Sequence, residues 1–206
     1  MLDQSKKDRK KKIILLTIIL AEIGILLAIF DYNILFFIRN YIRNDFLNVI
    51  VPFYTSLGED GIIWIVVGLL LLIPKKTRKC GIMVLAALLV MLIVNNLLLK
   101  QIIRRPRPCA GELRYMIDGL ITPPKTTSYS FPSGHTTSAF AVAFTIRSQH
   151  KKLGIVALVM AAVMAFTRLY VFVHFPTDIY AGILLGAGIA YFINRMEKII
   201  TPKVLK

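Results

Sequence analysis

The segment that decides the fold runs from residue 80 to residue 99 and reads CGIMVLAALLVMLIVNNLLL. It contains no charged side chain, and its strongly polar residues are the paired Asn95 and Asn96 near its end. A helix of about 20 mostly apolar residues is long enough to cross the hydrocarbon core of a bilayer. Residues 80–99 therefore predict a membrane-spanning helix.

The composition of the whole chain agrees with this prediction. Its 206 residues are 56% hydrophobic, and 26 Lys and Arg against 11 Asp and Glu give a net charge of +15. Basic chains often bind nucleic acid, but there the charges are spread along a polar chain, whereas here they are grouped between apolar runs. The hydrophobicity excludes disorder, and two cysteines exclude a disulfide scaffold. The chain is predicted to be a single integral-membrane domain, residues 1–206, with no nucleic-acid partner.

Five more apolar runs suggest that the chain crosses the bilayer several times. The runs cover residues 13–30, 61–73, 136–146, 153–173 and 179–193. A basic tail, residues 1–12, precedes the first run, but no small-residue cleavage site follows it, so we predict a retained helix and not a signal peptide. Residues 61–73, 136–146 and 179–193 are short enough to be interfacial or re-entrant. The predicted fold class is all-α, a polytopic membrane bundle with six transmembrane helices.

The distribution of basic residues predicts the orientation of these helices. If all six runs cross and the N-terminus is cytoplasmic, 17 Lys and Arg lie on the cytoplasmic side and 9 outside. If residues 61–73 do not cross, each side holds 13. Because cytoplasmic loops carry an excess of Lys and Arg, the first arrangement is favoured. We therefore predict a multi-pass protein of the cell membrane with both termini cytoplasmic.

Residues 32–50 differ from the apolar runs, because their polar and apolar side chains alternate with helical spacing. Apolar residues recur every four positions, at Ile34, Ile38, Ile42, Phe46 and Ile50. Polar residues share another face, at Arg39, Asn40, Arg43, Asn44 and Asn48. This pattern predicts an amphipathic helix in the outer membrane interface. A loop helix packed on the bundle fits the same pattern.

Three short polar stretches lie at the ends of the predicted membrane helices. The first follows one helix, the second begins another, and the third connects two. They read KQIIRRPRP at residues 100–108, FPSGHT at residues 131–136, and TRLYVFVHFPTD at residues 167–178. Helices 136–146 and 153–173 together return the chain to its starting side. The three stretches are therefore predicted to meet on one face of the membrane, provided that residues 136–146 do cross.

The residue types in these stretches suit binding of a phosphate. Lys100, Arg107 and Arg168 supply three cations that match the charge of a phosphate or diphosphate. Ser133 precedes a helix start, where free N–H groups and the helix dipole favour an anion, and Gly134 allows close approach of the backbone. Arg104 and Arg105 lie within the first stretch, between Lys100 and Arg107. They could contact either a second phosphate or only lipid headgroups, and the sequence leaves both alternatives open.

Two histidines and a carboxylate could perform chemistry on a phosphate bound there. His174 precedes a helix whose first turn contains Pro176, and Asp178 lies four residues later, within reach of an imidazole N–H. With His135 as a second histidine and the cations nearby, this is the composition of a phosphoryl-transfer site. No cluster of Asp, Glu and His suggests metal ligands, so the cations would take the role often given to Mg²⁺.

The same stretches resemble the motifs of the type 2 phosphatidic acid phosphatase superfamily, which includes membrane lipid phosphatases and vanadium haloperoxidases. The family pattern is Lys-x6-Arg-Pro, Pro-Ser-Gly-His, and Ser-Arg-x5-His-x3-Asp. Here Lys100, Arg107 and Pro108 match the first motif, and residues 132–135 match the second. The third is matched by Thr167, Arg168, His174 and Asp178. Thr167 replaces the usual Ser and keeps its hydroxyl. The resemblance covers about residues 60–195, the predicted catalytic core.

The resemblance implies a role for each matched residue. His174 would be the nucleophile that forms a phosphohistidine, Asp178 would orient it, and His135 would be the acid and then the base. The implied phosphate ligands are Lys100, Arg107, Ser133, Gly134 and Arg168. Such enzymes use no metal and no other cofactor.

The function implied is that of a membrane lipid phosphatase with its active site at the outer face. The substrate would be a membrane lipid phosphate that reaches the site from the bilayer. For a bacterial cell, undecaprenyl diphosphate is the leading candidate, followed by phosphatidylglycerophosphate and phosphatidic acid. A lipid phosphotransferase is equally compatible with the motifs. A transporter or lipid-binding protein ranks low because no repeat is evident and the polar groups gather at one face. The sequence does not indicate an oligomeric state.

Overall fold

The computed structural model describes residues 2–110, 114–115, 117–120 and 128–201, and this part of the chain is helical without β-strands. The α-helices within it are α1 (Leu2–Phe37), α2 (Asp45–Ser56), α3 (Ile62–Leu72), α4 (Arg78–Met91), α5 (Lys100–Ile103), α6 (Gly134–Gln149), α7 (Lys151–Tyr170), α8 (Pro176–Arg195) and α9 (Glu197–Ile200). A π-helical turn, Ile38–Ile42, extends α1, and a longer one, Leu92–Leu99, joins α4 to α5. The all-α prediction is confirmed for the described residues.

The first helix, α1, lies along one side of the bundle and is largely exposed. Its contact with α8 includes a hydrogen bond in which the Tyr180 hydroxyl donates to the Leu20 carbonyl at 2.7 Å. Gly24 lies against the same ring, because a Cβ there would be 3.4 Å from Tyr180 Cε1. The predicted membrane run, residues 13–30, forms the middle of this helix.

The predicted interfacial helix over residues 32–50 is wrong as a single element. Residues 32–37 still belong to α1, and the extended backbone of Arg43, with ψ of 137°, ends the π-helical turn. Asn44 then begins α2 as its N-cap, its side chain accepting from the Leu47 N–H at 3.0 Å. An Asn side chain that caps a helix competes with continuation of the preceding one, which explains the break.

The helices that could cross a membrane agree in part with the prediction of six. Four pass by length and apolar character, namely Asp8–Ile42, Arg78–Ile103, Lys151–Tyr170 and Pro176–Arg195. A fifth results if Asp45–Ser56 and Glu59–Leu72, bent by 47°, form one broken span. Helix α6, with 16 residues, is about 24 Å long and shorter than a typical hydrocarbon core. The described helices therefore indicate a multi-pass membrane protein with four or five candidate spans.

Helix α6 is the centre of the bundle and packs against α4, α7 and α8. Its small side chains allow this, since Ala139, Ala141 and Ala143 are all completely buried. On the facing helix a Cβ at Gly186 would lie 2.9 Å from the Ala141 nitrogen, so only glycine fits there. Close packing of small residues brings the first turn of α6 between the end of α5 and the α7–α8 connection. The three polar stretches thus meet at one end of the bundle.

Candidate active site

A cavity of about 850 Å³ opens at this end of the bundle. Six of the eight predicted site residues line it, namely Lys100, Arg107, Gly134, His135, Arg168 and His174. The other two, Ser133 and Asp178, are buried behind the lining residues. The structure therefore brings together all the residues that the three motifs nominate. They come from α5 and the loop after it, the start of α6, the end of α7, the α7–α8 connection and the start of α8.

His174 lies in the short connection between α7 and α8 and is only 1% exposed. Its Nδ1 is 3.4 Å from Asp178 Oδ2, a contact longer than an ordinary hydrogen bond, and that oxygen also accepts from the Phe175 N–H at 2.9 Å. On the other side of the ring, Arg107 Nη1 is 3.3 Å from His174 Nε2 and can donate to it. This arrangement favours the tautomer with the proton on Nδ1 and a lone pair on Nε2.

The surroundings of His174 also keep its imidazole neutral. Burial lowers the pKa of His174 well below its ordinary value, and the positive charges of Arg107, Arg168 and Lys100 lower it further. A neutral imidazole with a free lone pair is a nucleophile, whereas the imidazolium is not. His174 is therefore in the form that attack on phosphorus requires.

The three cations around the cavity have no carboxylate partner among the residues that the structure describes. Arg107 is held by neutral acceptors, since its Nε donates to the Ser128 carbonyl at 2.7 Å and its Nη2 donates to the Ser128 hydroxyl at 2.8 Å. Arg168 is buried, and its Nη1 donates to the Thr55 hydroxyl at 2.6 Å. Lys100 is also buried. Buried cations that make no salt bridge within the described residues make the cavity suited to a multiply charged anion.

The first turn of α6 faces the same cavity. A Cβ at Gly134 would lie 3.3 Å from Asn96 Oδ1 and 3.4 Å from Lys100 Nζ, so glycine lets the helix start approach the lysine closely. Ser133 is the N-cap of α6, because its hydroxyl accepts from the Thr136 N–H at 3.4 Å and from the Thr136 hydroxyl at 3.0 Å. Its predicted role as a phosphate ligand stays a prediction, because the described side chain serves the helix.

His135 lies on the cavity wall, beside Gly58 of the α2–α3 connection. Its Nε2 is buried and has no hydrogen-bond partner among the described residues. Gly58 packs directly against the ring, since a Cβ there would be 2.8 Å from His135 Cδ2 and 2.7 Å from Met164 Cε. The free Nε2 is available for a proton transfer to or from a bound ligand.

The two asparagines of the π-helical turn have different positions. Asn95 is completely buried, its Oδ1 accepts from the Thr137 hydroxyl at 3.2 Å, and its Nδ2 donates to Asn96 Oδ1 at 2.8 Å. Asn96 lines the cavity. A π-helical turn at a functional site is a common association, and here it allows both amides to approach the start of α6.

Several residues at the site were missed from the sequence. Glu59 and Asp60 line the cavity on the side of the α2–α3 connection. Thr55 holds Arg168 as described above, and Asp31 of α1 contacts Arg105, which in turn contacts Asp178. Asp31 follows directly on the apolar run 13–30, which was the only signal that marked it. Arg105 was expected to meet a second phosphate or lipid headgroups, but the structure engages it with two carboxylates.

The part of the chain that the structure describes contains no group of three or more His, Cys, Asp or Glu arranged to hold a metal ion. The groups in and behind the cavity that could take part in chemistry include its two histidines, Asp178 and the three cations. This combination of a neutral histidine and unpaired cations suits phosphoryl transfer.

Comparison with known protein families shows that residues 80–201 of the chain, which carry these site residues, match the PAP2 superfamily. The chain belongs to the PAP2 superfamily. It is 32% identical over 192 residues to an undecaprenyl-diphosphatase of Sulfolobus acidocaldarius, and the alignment covers 90% of each chain. It is 29% identical over 176 residues to phosphatidylglycerophosphatase B of Bacillus subtilis, covering 76% of this chain and 78% of that one.

The fold of this PAP2 protein matches a solved structure as well. A transmembrane PAP2-type phosphatidylglycerolphosphate phosphatase from Bacillus subtilis superimposes with a TM-score of 0.64 and 25% identity, over 90% of this chain and 98% of that one. The relatives are phosphatases of lipid phosphates, and the chain is an enzyme of this hydrolase class. The family match begins at residue 80, so α1, α2 and α3 lie before it.

Proposed function

We propose that this enzyme hydrolyses the terminal phosphate of a lipid diphosphate, with undecaprenyl diphosphate as the preferred substrate. The observation that carries the proposal is the neutral, deeply buried His174 beside a cavity whose three cations lack carboxylate partners among the residues described. The undecaprenyl-diphosphatase relative, aligned over 90% of both chains, supports the choice of lipid.

In the first step, His174 Nε2 attacks the terminal phosphorus, and the bond from phosphorus to the bridging oxygen breaks. Lys100, Arg107 and Arg168 bind the non-bridging oxygens and offset the charge that spreads over them, together with the N–H groups at the start of α6. The imidazole becomes cationic as the N–P bond forms, and Asp178 near Nδ1 stabilises that charge.

His135 carries the proton in both halves of the reaction. His135 would take up a proton that the lipid diphosphate brings into the site, and its unpartnered Nε2 would donate that proton to the departing lipid monophosphate in the first half. In the second half the same nitrogen takes a proton from water, which attacks the phosphohistidine, releases inorganic phosphate and restores His174. No metal is required in this sequence, because the cations supply the positive charge.

The shape of the cavity supports a lipid as the substrate. Beyond the polar end, its wall is formed by apolar side chains of α3, of α4 and of the π-helical turn that follows α4, namely Ile65, Leu85, Leu88, Leu89 and Leu92. Several of these side chains are exposed on the outside of the bundle, where hydrocarbon would surround them. A lipid phosphate would place its headgroup at His174 and pass its chain outward between α3 and α4.

We further infer six membrane crossings, both termini in the cytoplasm, and the active site at the outer face. The end of the bundle opposite the cavity supports this orientation, because it collects basic residues from several connections. Lys79 contacts Glu197 there, and Gln149 Nε2 also donates to Glu197, at 3.4 Å. Since an excess of Lys and Arg marks the cytoplasmic side, the cavity would face outward.

A panel of lipid phosphates tests the substrate and the reaction together. Purified protein in chelator-treated detergent micelles is incubated with undecaprenyl diphosphate, phosphatidylglycerophosphate and phosphatidic acid, and released phosphate is measured. We expect the largest kcat/KM for undecaprenyl diphosphate and no release by the His174→Ala variant. A preference for phosphatidylglycerophosphate, for which the Bacillus subtilis relative is named, would overturn the choice of lipid but not the mechanism.

The phosphotransferase alternative is distinguished by omitting an acceptor. A hydrolase releases phosphate from undecaprenyl diphosphate alone, whereas a strict transferase leaves the lipid diphosphate unchanged until an acceptor lipid or sugar is added, and then phosphorylates the acceptor without releasing phosphate. Phosphate release without acceptor supports the proposal, and dependence on an acceptor contradicts it.

A further inference from the structure

Arg105, the arginine two residues before the motif residue Arg107, lies outside the cavity lining and points between two carboxylates. Its Nη1 donates to Asp178 Oδ1 at 2.7 Å and to the Thr177 hydroxyl at 2.7 Å, and its Nη2 donates to Asp31 Oδ2 at 2.8 Å. The guanidinium also stacks on the ring of Phe175, 3.9 Å from its centroid. Both Nη atoms of Arg105 are thus engaged by protein groups, and the side chain is not part of the cavity lining where a phosphate would bind.

Asp31 contributes the other end of this arrangement from α1, the helix farthest from the motifs in sequence. It is 3% exposed, so its charge must be compensated by protein contacts. Its Oδ1 accepts from the Thr177 N–H at 2.9 Å, and its Oδ2 accepts from the Thr177 hydroxyl at 2.6 Å in addition to Arg105. Asp31 therefore fixes both Arg105 and the first turn of α8, on which Asp178 lies.

The two carboxylate oxygens of Asp178 have different partners, and this connects the Arg105 contact to His174. Oδ2 faces His174 Nδ1 and accepts from the Phe175 N–H, whereas Oδ1 is held by Arg105. A two-point hold of this kind fixes the rotation of the carboxylate plane and keeps it charged in a buried position. Without Arg105, Oδ1 would lose its charged partner, and the orientation of the carboxylate would rest on contacts to Oδ2 such as the Phe175 N–H.

We propose that Arg105 and Asp31 are positioning residues of the reaction, which act on His174 through Asp178 and make α1 part of the catalytic apparatus. This inference rests on the proposed roles of His174 and Asp178. It predicts that loss of Arg105 slows formation of the phosphohistidine and leaves lipid binding nearly unchanged, because Arg105 does not touch the substrate.

The test compares Arg105→Gln with Arg104→Gln, which removes an equal charge from the neighbouring position. Arg104 is exposed, and its Nε donates only to the Gln101 carbonyl at 2.8 Å. We expect Arg105→Gln to lower kcat by about 10- to 100-fold with KM within about twofold, and Arg104→Gln to change neither. If Arg105 instead met headgroups or a second phosphate, KM would rise and kcat would be retained, which overturns the proposal.

A double-mutant cycle shows whether Arg105 acts through Asp178. In an Asp178→Asn background the Arg105→Gln substitution should lower kcat by a further factor of less than about three, because the carboxylate that Arg105 positions is gone. Equal losses in both backgrounds would contradict the coupling. The Arg105→Lys variant, which keeps one charged donor, should recover part of kcat, whereas a purely structural effect would follow thermal stability in detergent instead.

Two other variants keep the proposal testable if Arg105→Gln does not fold. Asp31→Asn retains an acceptor for the Thr177 N–H but removes the counter-charge of Arg105, and Thr177→Val removes the hydroxyl that both charged groups share. Each should lower kcat without raising KM, and unchanged kcat in both would overturn the proposal. Activity that survives in His174→Ala would instead overturn the proposed mechanism, so the two failures are distinguishable.

Discussion

The residues after position 80 and those before it contribute to the same cavity in different ways. The later region, α4 to α8, carries the histidines and cations that line the cavity, from Lys100 to His174. The earlier region, α1 to α3, adds Glu59 and Asp60 to one side of the lining and also carries groups that contact the residues of the later region from behind. Asp31 binds Arg105, Thr55 accepts from Arg168, and Gly58 makes room for His135.

This difference shows why one region is recognisable in sequence and the other is not. Chemistry on phosphorus needs a particular residue type at each position, so its residues recur with defined spacing. Support from behind needs only an acceptor, a counter-charge or an absent side chain, which many residues on many helices can provide. If this division is correct, substitutions in the later region should abolish chemistry and those in the earlier region should weaken it.

The largest effect is expected for His174→Ala. Removing the nucleophile should lower phosphate release by about 10⁴-fold or more, because His135, the other histidine of the cavity, is proposed to move protons and does not replace His174 as the nucleophile. His150→Ala is the control, since His150 lies at the α6–α7 junction, away from the cavity lining. Phosphate release and acid-labile radiolabelling of the protein measure the effect, and turnover in His174→Ala would show that the later region does not supply the chemistry.

A smaller loss is expected for Thr55→Val, which removes the hydroxyl that accepts from Arg168 at 2.6 Å. Loss of a hydrogen bond to a charged group costs about 1.5–3 kcal/mol, which corresponds to about 10- to 100-fold in kcat/KM. Ser56→Ala is the matched control, because the Ser56 hydroxyl donates only to the Phe53 carbonyl on the outside of α2. Equal kcat/KM in the two variants would mean that Arg168 is positioned without α2.

A loss of about tenfold in kcat is expected for Gly58→Ala, because the added methyl group would displace His135 or Met164. The loss should appear with phosphatidic acid, whose alkoxide leaving group needs a proton from a general acid, and should be small with p-nitrophenyl phosphate, whose leaving group needs little such help. Gly188→Ala is the control, because a Cβ there meets nothing within 4 Å. An equal loss with both substrates would assign the effect to folding and not to His135.

The smallest effect is expected from pH. Because burial and neighbouring cations lower the pKa of His174, its imidazole stays neutral as the pH falls from 8 to 6.5. Single-turnover phosphorylation by p-nitrophenyl phosphate should therefore fall by less than about 1.3-fold over this interval, where an ordinary histidine would be half protonated at 6.5. A twofold fall would show that the cations around the cavity do not act on His174.

The site and the fold differed in how far the sequence alone predicted them. All eight motif residues were nominated from their types and spacing, and the structure brings them to one end of the bundle. The single helix over residues 32–50 was wrong, because periodicity alone did not reveal that Asn44 would cap a new helix. Arg105 was assigned to a phosphate or to headgroups, because the sequence does not show which neighbours compete for a charged side chain.

The sequence by itself determined that this is a helical membrane protein of the PAP2 superfamily and which residues could act on a phosphate. Those properties follow from local composition and spacing, because bilayer thickness and phosphate chemistry limit the residues that serve. Only the tertiary structure decided which charges meet, that Arg105 joins Asp31 to Asp178 and that Arg107, Arg168 and Lys100 form no salt bridge with a described carboxylate. Such pairings depend on contacts between residues 73 or more positions apart, which a linear pattern does not encode.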